Sequence, residues 1–93
     1  MWSAGLRVRG RLVDTSWRPN TLAHPRVAVV VPRFQHSVVA RNRVRRRLRE
    51  ILRRGLLAEL PRVDLVVRAR RAAYDAPVAV LRADLRDALE HVR

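Results

Sequence analysis

The sequence predicts an α/β protein of the α+β kind. We expect a two-layer sandwich in which a small mixed sheet of three to four strands packs against two helices. An alternating segment comes first, then a strand-like run, an amphipathic helix and a second strand-like run, and a second amphipathic helix comes last. With 93 residues, the chain is predicted to form a single domain over residues 1–93.

Two segments are the first candidate strands. Leu6 to Trp17 alternates apolar and polar residues with a period of two, which predicts a half-buried strand with a bend at Gly10. Arg26 to Val31 contains the apolar run VAVVV and lies between Pro25 and Pro32. Such a run is typical of a strand that is buried on both faces.

The segment from Ala40 to Arg54 reads ARNRVRRRLREILRR, and eight of its fifteen residues are Arg. A helix is predicted from about Val38 to Arg54, with Ser37 as its N-cap and Gly55 as its C-cap. Its apolar residues have the spacing of one buried stripe: Val44, Leu48, Ile51 and Leu52. The side opposite that stripe is predicted to carry Asn42, Arg46, Arg49 and Arg53, and one flank to carry Arg43, Arg47 and Arg54.

The net charge of +13 indicates a polyanionic partner. In a small domain this excess of Arg most often means nucleic acid. Cysteine is absent, which fits a reducing compartment, so a cytoplasmic protein is predicted. No apolar run approaches the roughly 20 residues of a membrane span, so no membrane partner is expected.

The remaining elements complete a strand–helix–strand unit and a last helix. Asp64 to Arg70 is the next predicted strand, and its order in the chain predicts a parallel pair with the strand at Arg26 to Val31. The last helix is predicted over Val78 to Val92, with apolar residues at steps of three and four: Val78, Leu81, Leu85, Ala88 or Leu89, and Val92. Its outer face is partly acidic, through Asp84, Asp87 and Glu90, so it is not expected to touch RNA.

No catalytic constellation is visible in the sequence. The three His residues are scattered and lack the spacing of metal ligands. No Gly-rich phosphate loop is present. If the protein takes part in a reaction, another molecule is therefore expected to carry the chemistry.

The stretch VAVVVPRFQHSVVARNRVRRRLREILR resembles the signature of the bacterial ribonuclease P protein subunit, a strand leading into a helix with an RNR motif. DLVVRARRAAY is similar to the family's next strand, and the resemblance covers roughly Arg7 to Val92. It implies a ribonuclease P protein-like fold in which the basic helix makes an unusual left-handed crossover. Family members usually carry a helix ahead of the first strand, where this chain has only Met1 to Gly5. Part of the family's leader cleft is then missing or replaced by Trp2, or the start codon is assigned too late.

The resemblance also implies a function. The chain would be the protein component of ribonuclease P, assisting a catalytic RNA that removes the 5′ leader from precursor tRNA. Its expected partners are the catalytic RNA subunit, one protein per RNA, and precursor tRNA. It would be an enzyme only as that subunit, because the RNA and its Mg²⁺ ions carry the cleavage. No catalytic residue, metal or cofactor is expected on the protein.

The family's RNA contacts carry over by position. The residues that match the motif and its basic continuation are Arg41, Asn42, Arg43, Arg45, Arg46 and Arg49. Arg33 matches the first of two basic residues that often precede the helix, and Phe34 stands where the second would be, able to stack on a base. Arg53 and Arg70 complete the predicted RNA-binding set. The predicted leader-cleft residues are Arg9, Arg11 and Trp17.

Three parts of the chain keep two interpretations at this stage. Arg41 lies at the edge of the apolar stripe, so it contacts RNA or braces the core or the neighbouring strand. Arg9 and Arg11, with Arg7, form a leader-binding surface or a strand edge protected by charge. Trp17 packs in the core or stacks on a base.

Other functions fit the composition less well. A structural RNA-binding protein, such as a ribosomal protein, is the main alternative, and the RNR motif argues against it. A DNA-binding regulator is disfavoured because the basic helix follows a strand, not the first helix of a helix-turn-helix. A protein-only nuclease would need a cluster of metal-binding carboxylates, which the sequence does not show.

Overall fold

The computed structural model of the chain describes residues 6–56, 58 and 60–92. These residues form four strands, β1 (Leu6–Arg9), β2 (Val13–Pro19), β3 (Arg26–Val30) and β4 (Val63–Ala69). Two α-helices accompany them, α1 (Val38–Ile51) between β3 and β4, and α2 (Val78–Glu90) after β4. Short helical turns of other types lie at Leu52–Leu56 and Arg71–Tyr74.

The strands form one mixed sheet in the order β1-β2-β4-β3. β1 with β2 and β2 with β4 pair antiparallel, whereas β3 and β4 pair parallel, so the predicted parallel pair is confirmed. Thr15 of β2 lies opposite Val67 of β4, and Val67 lies opposite Val29 of β3. These aligned residues face the layer of α1 and α2, where a single apolar core forms. The predicted two-layer α+β architecture is confirmed.

The prediction of one bent strand from Leu6 to Trp17 is wrong. This segment is a hairpin, and its connection runs from Gly10 to Leu12. The Gly10 amide donates to the Val13 carbonyl at 2.9 Å, and a Cβ at Gly10 would lie only 2.5 Å from that oxygen. Glycine therefore permits the close approach of the two strand ends.

The prediction that Arg26 to Val31 is buried on both faces is also wrong. β3 is an edge strand of the sheet, its residues alternate between exposed and half-buried, and Val30 is 39% exposed. Both helices cover the same face of the sheet, so no helix or strand of the described residues covers the other face of β3. Only Val31, just beyond the strand, is fully buried at this end.

The helices begin as predicted but end differently. The Ser37 hydroxyl caps α1 by accepting from the Ala40 amide at 3.1 Å. α1 then changes into the π-type turn at Leu52–Leu56, which holds Gly55 in an extended conformation, so Gly55 is not a left-handed cap. In α2 the predicted apolar positions are buried, except that Val78 at its start is 40% exposed.

Candidate nucleic-acid interface

Helix α1 separates its apolar and cationic sides as the sequence predicts. The stripe of four apolar residues is at most 5% exposed and packs on the sheet: Val44, Leu48, Ile51 and Leu52. Asn42, Arg43, Arg46 and Arg49 are exposed and form what we call the basic ridge. None of these four side chains has a hydrogen-bond or ion-pair partner among the residues that the structure describes. The ridge is therefore open to a polyanion.

The end of α1 carries the helix's one carboxylate, Glu50. Glu50 accepts from Arg53 at 2.8 Å and from Arg54 at 3.0 Å. Hydrogen bonds from Arg53 and then Arg54 lower the pKa of Glu50 below its usual value. Arg53, a predicted RNA contact, is thus partly neutralised, whereas the three Arg residues of the ridge are not.

Arg41 and Arg45 lie beside the apolar stripe of α1, and both are half-buried. Arg41 donates from Nε to the Val31 carbonyl at 3.0 Å, which ties α1 to the end of β3. The bracing interpretation of Arg41 is therefore supported, although its terminal nitrogens keep further donors. Nε of Arg45 is buried without a partner in the described part of the chain.

The connection between β3 and α1 has a strained backbone. Phe34 and Gln35 have φ angles of 48° and 68°, a left-handed region that non-glycine residues rarely adopt. Tyr74 holds this loop: its hydroxyl donates to the Pro32 carbonyl at 2.7 Å, and its ring stacks on His36 at 3.8 Å between centroids. Sequence reasoning missed this role of Tyr74.

Phe34 packs within this loop cluster. Its ring meets Tyr74 edge to face at 6.3 Å between centroids, and the Arg71 guanidinium lies 5.0 Å above it. Arg33, exposed beside it, donates from Nε to the His36 carbonyl at 3.3 Å. The loop thus brings the predicted contacts Arg33 and Phe34 to the start of the basic ridge, with Phe34 already partly covered.

The face of the sheet opposite the two helices carries a groove of about 400 Å³, which we call the sheet groove. Four of its eight lining residues are Arg, and the lining comes from all four strands and the end of β4: Arg7, Arg9, Asp14, Ser16, Val30, Val66, Arg68 and Arg70. Val30 and Val66 supply an apolar floor between the guanidinium groups. Sequence reasoning predicted Arg9 and Arg70 as contacts and considered Arg7, but it missed Arg68, whose outward position in the alternating pattern of β4 was the available signal.

The other predicted cleft residues lie elsewhere. Trp17 is 6% exposed and points into the core under the helices, so it does not line the predicted cleft. Arg11 is exposed in the hairpin connection and lines an adjoining depression with Phe34 and Arg71. Arg70 borders both sites and donates to the Gly10 carbonyl at 3.1 Å and to Asp14 at 3.4 Å. The predicted Trp2 lies outside the described residues.

Asp84 was assigned to the outer face of the last helix, and that assignment is wrong. Its carboxylate accepts from the amides of Arg11, Leu12 and Val13 at 3.3, 3.0 and 3.1 Å. The side chain therefore joins α2 to the hairpin connection and does not add negative charge to the exposed helix face.

Within residues 6–56, 58 and 60–92, no three His, Asp or Glu side chains converge as metal ligands would. Nor is any helix in that part of the chain both long and apolar enough to cross a membrane.

Fold and site together define a small, strongly basic α+β protein with one helix face open to polyanions. The chain belongs to the Ribonuclease P family of proteins, whose profile matches residues 1–93. It is 43% identical over 82 residues to the ribonuclease P protein component of Thermus scotoductus and 45% identical over 82 residues to that of Thermus oshimai. The resemblance read from the RNR motif is thus confirmed.

The alignments to these two relatives cover 88% of this chain but only 48% and 51% of the relatives, so it spans about half their length. Among solved structures, the RNase P protein of Thermotoga maritima in complex with 1-(4-fluorophenyl)-2-thiourea matches with a TM-score of 0.86 and 25% identity. That match covers 97% of this chain and 88% of the other. The RNase P protein of Staphylococcus aureus matches in fold with a TM-score of 0.85, at 23% identity, over 96% of this chain and 82% of the other.

Proposed function

We propose that this chain is the protein component of ribonuclease P, which binds the catalytic RNA and the leader of precursor tRNA during 5′ maturation. The observation that carries the proposal is the basic ridge, which is exposed and unneutralised by other described residues. A core-packed helix has no structural need for this charge on its outer side. RNA phosphates would neutralise it and release their counterions.

The sheet groove is the proposed site for the single-stranded leader. A cationic groove with an apolar floor suits a flexible strand, because guanidinium groups can follow phosphates while bases and sugars contact Val30 and Val66. Of the residues predicted for the leader, Arg9 belongs to this site, and Arg68 is added to it. Arg33, Phe34 and Arg41 would connect the groove with the ridge at the start of α1.

The proposed division of labour assigns the cleavage to the RNA. Mg²⁺ ions held by the RNA subunit would activate the attacking water and stabilise the leaving oxygen. The protein would add fixed positive charge where phosphates of the catalytic RNA and the precursor crowd together. One protein per RNA, acting in the cytoplasm, is the expected assembly.

The direct test is cleavage of a precursor tRNA by the catalytic RNA, with and without the purified protein, over a range of Mg²⁺ concentrations. Since Arg and Mg²⁺ both offset phosphate repulsion, the protein should raise kcat/KM most at low Mg²⁺ and little at high Mg²⁺. The protein alone should cleave nothing. No stimulation at any Mg²⁺ concentration, despite binding of the RNA, would favour the alternative of a structural RNA-binding protein.

The salt dependence of binding reports the number of phosphates contacted. If the ridge and the neighbouring loop neutralise about five phosphates, a plot of log affinity against log salt should have a slope of about −3 to −5. The measurement is a filter-binding or fluorescence titration of the catalytic RNA between low and physiological salt. A slope near zero would exclude the ridge as the contact surface.

The sheet groove can be tested separately. Arg68→Gln should raise KM for a precursor with a leader, because one phosphate contact is lost, while leaving its affinity for the catalytic RNA nearly unchanged. A precursor whose leader is shortened to one nucleotide is the control substrate, and its KM should not respond to the substitution. An equal rise in KM for both substrates would remove the leader from this groove.

A further inference from the structure

A second cationic concavity lies between the end of α1 and helix α2, away from both proposed contacts. This interhelical groove has a volume of about 290 Å³. It is lined by Ile51, Arg54, Gly55, Leu56, Arg82, Arg86 and Glu90. Three guanidinium groups from two different helical segments thus face one carboxylate around a cavity large enough for a phosphate group.

The Arg residues of α2 are not used for structure. Arg82 and Arg86 are exposed and have no ion pair with any described residue. They lie four positions apart on one helix face, where like charges repel each other. Arg86 and Glu90 are four positions apart with Arg on the N-terminal side, which is the weaker orientation for a helical ion pair, and the structure does not form that pair. Two Arg residues without ion-pair partners on one helix face are expected where an external anion compensates their charge.

The groove is continuous with the cationic surface of α1. Helical spacing places Arg43 and Arg47 on one flank of that helix, and Arg54, in the turn that follows it, lines the groove. Arg54 donates from Nε to Glu50, which leaves its terminal nitrogens available to a ligand. A polyanion lying on the basic ridge can therefore extend across this flank onto α2 without leaving positive surface.

We infer that the interhelical groove is a second RNA contact, in which Arg54, Arg82 and Arg86 bind a backbone phosphate of the catalytic RNA. This inference rests on the proposed function. It assigns α2 to the RNA-binding surface, contrary to the expectation from its acidic residues. That expectation counted Asp84, whose carboxylate is turned to the hairpin, so that Glu90 is the one carboxylate among the residues that line the groove.

The first test compares single charge removals. Arg82→Gln and Arg86→Gln should each weaken binding to the catalytic RNA on the order of tenfold and reduce the salt slope by about one. Arg62→Gln removes the same charge from an exposed residue outside the groove lining and should have a much smaller effect. Arg82→Lys keeps the charge and should restore most of the affinity, and Glu90→Gln should strengthen binding. Thermal melts verify that every variant is folded.

The second test locates the RNA directly. The chain has no cysteine, so one introduced thiol can carry a tethered Fe–EDTA reagent without further changes. Ala83→Cys places it on the exposed surface of α2, and Val39→Cys, at a residue that is 68% exposed, places it beside the basic ridge. Both should cut the catalytic RNA, at different nucleotides.

The outcomes separate the inference from the proposed function. If the wild-type protein does not bind the catalytic RNA and Val39→Cys gives no cuts, the proposed function itself fails. If the wild type binds and Val39→Cys cuts, the inference is overturned by either of two results. One is that Arg82→Gln and Arg86→Gln bind as Arg62→Gln does, and the other is that Ala83→Cys gives no cuts.

Discussion

Thr15 places a hydroxyl group in the middle of the apolar layer. The residue is 0% exposed, and its Oγ1 atom has no hydrogen-bond partner in the described part of the protein. A buried hydroxyl without a partner loses its hydration and gains nothing in return. Thr15 is therefore a position where the native sequence is not the most stable one.

Thr15→Val should raise the free energy of unfolding by about 1 kcal/mol, because a methyl group replaces the unsatisfied hydroxyl at nearly the same volume. Urea unfolding monitored by circular dichroism measures the change. Thr15→Ser is the matched control: it keeps the hydroxyl, removes the methyl group and should destabilise the protein. Destabilisation by Val would mean that the hydroxyl has a partner that the geometry does not show.

Asp84 shows that one side chain can determine a connection far away in the sequence. Because its carboxylate accepts from three amides of the hairpin connection, Asp84→Asn should lower the free energy of unfolding by about 1–3 kcal/mol. Asp87→Asn, on an exposed site of the same helix, removes an equal charge and should change it by less than about 0.5 kcal/mol. Equal effects in urea unfolding would show that helix charge, not the amide contacts, matters here.

At the scale of the element, one side of α1 packs on the core and the other is the proposed RNA contact. Arg46→Ala/Arg49→Ala should weaken RNA binding with little change in the melting temperature, because both side chains are exposed and Ala favours helix. Asn42→Ala should behave in the same way. Leu48 is 0% exposed, so Leu48→Ala should cost about 2–5 kcal/mol of stability by leaving a cavity under the helix.

The measurements are a thermal melt and an RNA titration on each variant of α1. The ridge variants should differ from wild type in RNA affinity, and Leu48→Ala should differ from wild type in melting temperature. If the double Arg variant unfolds the protein while Leu48→Ala is harmless, the ridge and the stripe have been interchanged. The RNA contacts would then have to be reassigned.

The sequence predicted correctly those features that depend on residues close to one another in the chain. The two sides of α1 follow from the helical period within fifteen residues, and the Ser37 cap from its immediate neighbours. The hairpin was missed because Asp84, which fixes its connection, lies 71 to 73 residues away. The strained loop was missed because Tyr74 reaches back 42 residues to Pro32.

The burial of strands required knowledge of the whole molecule. An apolar run such as that of β3 has the same appearance whether one or both faces are covered. Here α1 and α2 pack on the same face, so half of the run is exposed and a cationic groove opens on the other face. The groove combines residues from all four strands, so the sequence pattern of one strand could not predict it.

At the scale of the whole molecule, Asp64 joins three parts of the sheet at one end. Its carboxylate accepts from Nε and a terminal nitrogen of Arg26 at 2.8 Å each and from Asn20 at 3.0 Å, with Arg18 at 3.7 Å. Hydrogen bonds from Arg26 and then Asn20 hold the pKa of Asp64 well below its usual value, and the same contact raises the pKa of Arg26.

This arrangement predicts how stability responds to acid. A carboxyl group whose pKa is lower in the folded state stabilises the fold above its unfolded pKa, which is about 3.9 for Asp. That contribution is lost as the pH falls through the unfolded pKa towards the folded one. The free energy of unfolding should therefore be constant near neutrality and decline as the pH is lowered from about 5 towards 2, with Glu50 adding a smaller decline.

Asp64→Asn tests this directly, because the amide keeps the shape but cannot carry the charge. The variant should be less stable than wild type at pH 7, its stability should decline less on acidification, and the difference between the two curves should narrow as the pH approaches 2. Urea unfolding at constant ionic strength between pH 2 and pH 7 measures both curves, and Glu50→Gln, which removes an exposed carboxylate, is the control with a smaller effect. If the Asp64→Asn curve ran parallel to wild type over the whole range, the acid response of the fold would belong to other carboxylates.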